Sequence, residues 1–294
     1  MSRSTKNVLR GCVLRSLTIV GFVFLSGILC ATLVRFAPGF SVDERELDAR
    51  LSSDSLRALR SQHDDERNVA VFYGRYMAGL LHGDLGSSRL FSQPISKLIR
   101  DRAPTSARNI VYGVGIGWIF AFLLALAAVV MQKPETDFLL STCAGALISV
   151  PTAVVALFVT ILRKPASVAV AAALVPVLYR YSRNILQQTW DAPWITAARA
   201  KGLGSAQILF RHSLPIAAPQ LITVGAVSLN MAFSVSLPVE VVADSPGVGQ
   251  LVWQAALGRD LPLLVTVTGL LATITLLANA GAMVMNEAIH PVEA

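Results

Sequence analysis

Long apolar runs, separated by shorter polar stretches, are the dominant pattern along this chain. They cover residues 16–34, 107–131, 138–162, 166–179, 216–239 and 261–286. Because a helix needs about 20 apolar residues to cross a bilayer, these runs predict transmembrane helices. The fourth run is short, and we expect its helix to continue to about Gln188, with Arg180 and Arg183 reaching the inner headgroups. The pattern therefore predicts an all-α membrane protein with six spans, with Pro151 as a tolerated kink in the third.

Charged residues are few, and most basic ones lie beside the apolar runs. Hydrophobic residues make up 54% of the chain and charged residues 15%, with a net charge of +7. Soluble domains average about 25% charged residues, so the composition agrees with a membrane protein. The clustering of basic residues beside apolar runs indicates orientation in a membrane rather than nucleic-acid binding.

The distribution of charge predicts the orientation of the spans. Residues 1–15 carry four basic side chains and no acid, and residues 189–215 carry an excess of basic side chains. Both segments are expected in the cytoplasm. Because the number of predicted spans is even, the two termini are expected on that same side. The polar segment 37–104 is then external, and residues 1–294 form one transmembrane domain. A cleaved signal peptide is the alternative for the first run, although it has no convincing cleavage site.

The loop 189–215 predicts two short helices between two spans. Asp191 can cap the first helix, with Pro193 in its first turn. Gly202 and Gly204 permit the left-handed or extended backbone that ends it. Ser205 can cap the second helix.

The same loop resembles the EAA loop of ABC importer permeases, whose pattern is Glu-Ala-Ala, three residues, Gly, nine residues, Ile-x-Leu-Pro. The matching positions are Ala197, Ala198, Gly202, Leu214 and Pro215, whereas Thr196 replaces the Glu and His212 the Ile. We also expect the Leu-Pro pair to end the second helix. The form of the motif is similar to that of dipeptide, oligopeptide and nickel importers.

This resemblance implies a type I ABC importer permease fold in which the loop is a coupling helix seated in a groove of an ATPase. Ile208, Leu209 and Phe210 are the apolar residues expected to enter that groove. A basic interfacial helix that anchors the loop to lipid headgroups is the alternative.

Two further segments resemble external motifs of the first permease of a peptide-type pair. The first contains Gly83, Asp84, Leu85, Gly86 and Ser88, and the second contains Pro246, Gly247 and Gly249. Glycines permit a tight turn in the first segment, and its Asp side chain can cap that turn. An ordinary surface turn is the alternative.

The polar residues within the spans offer few catalytic groups. Asn230 and Ser234 lie in the fifth run and Glu240 directly follows it; these residues could line a translocation path, or could hold helices together by hydrogen bonds. No phosphate-binding Gly-x4-Gly-Lys-Ser/Thr motif is present, and neither a metal-site nor a hydrolase motif occurs. We therefore expect no enzyme activity, no metal and no cofactor in this chain, with ATP and Mg²⁺ bound by a partner ATPase.

The resemblance implies a permease subunit of an ATP-driven importer for peptides or similar small solutes in a bacterial inner membrane. Its partners would be a second homologous permease, two ATPase subunits and an external solute-binding protein. The solute itself stays open between dipeptides, oligopeptides, nickel and others. A secondary carrier or channel without an ATPase is the alternative function, and a membrane assembly subunit without transport activity is a third.

Overall fold

The structure is a computed structural model, and it is almost entirely helical where it is described. It describes residues 82–289, with side chains as far as Gly281, and the isolated positions Gly21, Leu25, Thr32, Gly74, Ala78 and Gly79. The first predicted span, 16–34, and most of the segment 37–81 lie outside the described residues.

Within the described residues, a short hairpin precedes a series of helices. The hairpin pairs β1 (Ser87–Ser88) with β2 (Gln93–Pro94) in antiparallel register, with Ser88 opposite Gln93. The helices are α1 (Ile95–Met131), α2 (Pro134–Ile148), α3 (Thr152–Ile161), α4 (Ala166–Trp190), α5 (Pro193–Ala200), α6 (Ser205–Ile208), α7 (Leu214–Val242), α8 (Val248–Leu257) and α9 (Leu261–Ile289). One π-helical turn, Leu209–Ser213, joins α6 to α7.

Three of the six predicted spans correspond to single long apolar helices among the described residues. Among the described residues, α1, the continuous segment Ser205–Val242 and Leu261–Gly281 are long and apolar enough to cross a membrane. α1 begins at Ile95, well before the predicted start at 107, because the charged residues ahead of the apolar run continue the same helix. α4 runs from Ala166 to Trp190, close to the expected extension of the fourth run.

The third predicted span is not one kinked helix. α2 and α3 are separate helices bent by 98° at the break between them. Ser149 ends α2, and Pro151 stands at the start of α3 with φ −56° and ψ 136°. Proline cannot donate a helical hydrogen bond and disfavours helical geometry in the residue before it, so the chain turns here. The structure therefore does not confirm a count of six straight spans.

The described chain divides into two compact units. One comprises the residues up to Ala103 together with Leu251–Leu276, and it contains the hairpin. The other comprises Pro104–Gln250 and the residues from Leu277, and it contains the loop between α4 and α7.

α4 is the central helix of the second unit, where it packs against α2, α3 and α7. Small residues allow the helices to approach closely. A Cβ at Gly113 of α1 would overlap the side chain of Val170 and lie 3.2 Å from the backbone oxygen of Ser167. Close packing of this kind replaces the hydrophobic driving force that lipid does not supply between helices.

Candidate functional site

The first helix of the candidate coupling loop, α5, begins without the expected side-chain cap. Ala192 occupies the N-cap position, and Pro193 stands in the first turn as expected. Asp191 belongs to the end of α4, where its carboxylate accepts a hydrogen bond from Gln187 Nε2 at 2.7 Å. The predicted cap by Asp191 is therefore wrong, because its side chain folds back along α4.

α5 ends at a left-handed glycine, as the spacing predicted. Gly202 has φ +79°. Its N–H donates to Arg199 O at 2.9 Å, and Leu203 N–H donates to Ala198 O at 3.3 Å. These two bonds form a Schellman motif, in which a left-handed residue satisfies the last carbonyls of a helix. The turn fixes the direction in which the chain leaves α5.

The second short helix differs from the prediction at both ends. Gly204, with φ −69° and ψ 153°, is the N-cap of α6, and Ser205 makes no capping bond. At the other end, Pro215 lies in the first turn of α7 and does not end the helix. In the π-helical turn before Pro215, Leu214 N–H donates to Leu209 O. Pro215 has no backbone N–H, so its position in the first turn of α7 leaves no donor without an acceptor.

Burial separates the predicted coupling residues into two groups. Thr196, Ala197, Gly202, Phe210 and Pro215 are exposed, Leu214 is half-buried, and Ala198, Ile208 and Leu209 are buried.

The buried group packs within this chain. Ile208 and Leu209 are 1% and 7% exposed and join the same apolar core as Leu186 and Ile195. The expectation that both enter a partner's groove is wrong in this structure, because the loop needs them to seat it against α4. Phe210 is 68% exposed. Trp194 on α5, which the resemblance to the EAA loop did not indicate, is 51% exposed and is the other large apolar side chain that the loop 189–215 leaves uncovered.

The segment around Gly83, predicted to be an external motif, forms a hydrogen-bonded turn. Gly83 and Gly86 have φ +77° and +75°. Asp84 Oδ1 accepts the backbone N–H of Gly86 at 2.8 Å, which is the expected cap. Leu85 is half-buried between them.

Ser88 ties this segment to the start of α9. It is 2% exposed, and its hydroxyl donates to Asp260 Oδ2 at 2.5 Å. The same carboxylate oxygen accepts Leu90 N–H at 3.0 Å, and Oδ1 accepts Leu263 N–H at 3.2 Å. Asp260 therefore caps α9 and orients the hairpin with one carboxylate.

The second segment predicted to be external, which contains Pro246, Gly247 and Gly249, packs against Glu240. This side chain is 0% exposed and accepts Ser106 Oγ at 3.0 Å and Gly249 N–H at 2.8 Å. Asn109 Nδ2 completes the set at 3.4 Å. A Cβ at Gly247 would collide with the carboxylate, whereas Pro246 is exposed. Glu240 is thus a buried packing group, and the suggestion that it lines a path is wrong for this structure.

Asn230 and Ser234, the other two residues suggested to line a path, have different surroundings. Asn230 Nδ2 donates to Asn279 Oδ1 at 2.7 Å, so it joins α7 to α9 by an interhelical hydrogen bond. Ser234 is exposed one turn later. Among the described residues, no group of His, Cys, Asp and Glu side chains is arranged to hold a metal ion.

Comparison with known proteins places these features in a family. Residues 98–292 match the family described as binding-protein-dependent transport system inner membrane component. A putative peptide transport system permease protein of Brucella abortus is 28% identical over 240 residues, covering 72% of this chain and 76% of the relative. A glutathione transport system permease protein of Salmonella paratyphi A is 24% identical over 301 residues, covering 94% and 96%. The fold is similar to a chain of the inward-facing MetNI methionine ABC transporter, with a TM-score of 0.59 at 18% identity, covering 65% of this chain and 96% of that chain.

Proposed function

Because this chain belongs to the family of binding-protein-dependent transport system inner membrane components, we propose that it is one of two permeases that form the path of an ATP-driven importer for peptides or similar small solutes. The helical structure and its likeness to the methionine transporter chain confirm the expected permease fold. Relatives named for peptide and glutathione transport support the solute class.

One observation carries the proposal: the loop between α4 and α7 buries some apolar side chains against its own helices and leaves two large apolar side chains exposed. Ile195 and Ile208 are 0% and 1% exposed and hold the loop against its own helices. Trp194 and Phe210 stay half or more exposed. Exposed aromatic side chains on a well-seated support are the usual anchors of a protein interface. An ATPase groove is the partner that the family implies.

The family also implies the remaining partners and the orientation. In the proposed assembly, a second homologous permease completes the path, two ATPase subunits bind on the cytoplasmic side, and a solute-binding protein delivers solute from outside. The basic loop and both termini are cytoplasmic. ATP hydrolysis resides in the ATPase, and this chain contributes different contacts in the outward-open and inward-open states.

Purification of the complex from membranes tests the proposal. Tagged chain should recover an ATPase and a second permease, and cells should take up a labelled peptide in an ATP-dependent manner. Phe210→Ala should lower recovery of the ATPase about ten-fold or more, as loss of a central aromatic anchor does. Leu157→Ala on α3 is the matched control, because Leu157 is also exposed, at 52%, but lies outside the loop.

Two results would contradict the proposal. Uptake that persists without any ATPase would indicate a carrier or channel. Equal recovery of the ATPase with Phe210→Ala and Leu157→Ala would remove the loop as the docking surface.

A further inference from the structure

Arg199, in α5, reaches out of the loop to the end of α4. Its guanidinium carbon lies 5.3 Å from the ring centroid of Trp190, the last residue of α4. Trp190 is only 2% exposed, so its ring is held in place by the core. A guanidinium within about 6 Å of a tryptophan face is favourably placed for a cation–π interaction.

Gln132 brings a third element to the same point. It follows α1 directly and has φ +48°, a backbone conformation uncommon for residues other than glycine. In the amide orientation that satisfies both donors, its side-chain oxygen accepts Arg199 Nη2 at 3.1 Å and Trp190 Nε1 at 3.0 Å. One acceptor thus joins the end of α1, the end of α4 and the coupling helix α5.

The end of α4 is itself fixed by other polar contacts. Arg183 forms a two-pronged ion pair with Asp137 of α2, through Nε at 2.8 Å and Nη2 at 2.5 Å. Thr189 and Ser213 share a buried hydrogen bond of 2.8 Å between their hydroxyls, which joins α4 to the π-helical turn. A helix end held on two sides can pass on a displacement instead of absorbing it.

We propose that Arg199, Trp190 and Gln132 form a clamp that carries movement of α5 to the cytoplasmic end of α1 during transport. Arg199 is then a positioning residue for the transport cycle, and the proposal rests on the proposed importer function. The planar guanidinium suits this role because it can stack on a ring and donate in its own plane at once, which a lysine cannot do. Gln132 supplies the acceptor that both Arg199 and Trp190 use, so loss of Gln132 removes both hydrogen bonds.

The test compares coupling with assembly in the complete complex in proteoliposomes. Arg199→Gln should leave recovery of the ATPase and its ATP hydrolysis near wild type. Uptake per ATP hydrolysed should fall about five-fold or more, the lower end of typical coupling between sites. Arg180→Gln is the charge control, since Arg180 is exposed on α4 and outside the clamp.

Variants of Gln132 provide a second arm that does not depend on folding of the loop. Gln132→Ala removes the shared acceptor, and Gln132→Glu keeps an acceptor on the same backbone. Uptake per ATP should fall with Ala and stay near wild type with Glu. The double variant Arg199→Gln/Gln132→Ala should be no worse than the more severe single variant, because the two residues act through one contact.

Three results would overturn the clamp. Unchanged uptake per ATP in both Arg199→Gln and Gln132→Ala would show that the contact carries no movement. Loss of ATPase recovery with Arg199→Gln would make Arg199 a docking residue, with the proposed function intact. Failure of the wild-type chain to recover any ATPase would instead overturn the proposed function and the clamp's role together.

Discussion

The carboxylate of Glu240, near the end of α7, accepts the backbone N–H of Gly249 in the first turn of α8 at 2.8 Å. The same carboxylate accepts the hydroxyl of Ser106 on α1, which in turn accepts Val248 N–H at 2.8 Å. A buried carboxylate is costly unless its oxygens are paired, and these donors pair it. Gly247 leaves room for this carboxylate, and Gly249 leaves room for the backbone of Leu237 and for the same carboxylate.

Gly247→Ala should destabilise the protein through this contact. The added Cβ would collide with the Glu240 carboxylate, and the neighbouring backbone is tied down by the hydrogen bond to Gly249. Overpacking of this kind costs about 1–3 kcal/mol. The midpoint of thermal unfolding of the purified chain should therefore fall. Gly145→Ala is the control, since nothing lies within 4 Å of a Cβ there; equal midpoints for the two variants would contradict the prediction.

Gly202→Val should weaken ATPase binding and uptake through backbone strain alone. No atom lies within 4 Å of a Cβ at Gly202, but its φ of +79° disfavours any branched side chain. The strain of about 1–2 kcal/mol would alter the turn that leads from α5 to α6. Gly204→Ala should have little effect, because Gly204 has φ −69° and is equally uncrowded. Pull-down measures ATPase binding and labelled solute measures ATP-dependent uptake, for both variants at equal expression. Wild-type binding and uptake for Gly202→Val would contradict the prediction.

Ile208→Ala and Phe210→Ala should affect different properties, although the residues are neighbours. Ile208 is 1% exposed, so its truncation should lower the free energy of unfolding by about 2–5 kcal/mol. Phe210 is 68% exposed, so its truncation should change stability by about 0.5 kcal/mol or less. Thermal unfolding of each variant in the absence of partners separates the two. A larger loss of stability for Phe210→Ala would reverse the assignment of inner and outer faces.

Asp260→Ala should loosen the hairpin and the start of α9 together. Its carboxylate accepts Ser88 Oγ, Leu90 N–H and Leu263 N–H, and the residue is 0% exposed. Leaving such buried donors unpaired costs about 1–3 kcal/mol. Limited proteolysis should then cut near the hairpin faster than in wild type. Asp101→Ala, at an exposed position on α1, is the control and should not change the cleavage rate.

Local pattern alone predicted the parts of the fold that depend on local physics. Apolar length predicted the helices that became α1, α7 and α9. The turn at Gly202 and the cap by Asp84 were also predictable, because each depends on residues within a few positions. The resemblance of the loop to the EAA pattern identified the family, which the match over residues 98–292 confirms.

Tertiary packing decided what each side chain of the candidate site faces. The resemblance placed Ile208 and Phe210 together among the apolar residues expected in a partner's groove, but only packing against α4 determines that Ile208 is buried and Phe210 exposed. The sequence suggested that Glu240 could line a path, and only the packing of α1 and α8 provides the donors that pair its buried carboxylate. Arg199 and Gln132 are far apart along the chain, so nothing local could relate them. Sequence reports composition and local geometry, whereas contact between distant segments is decided by how helices of given length and shape pack together.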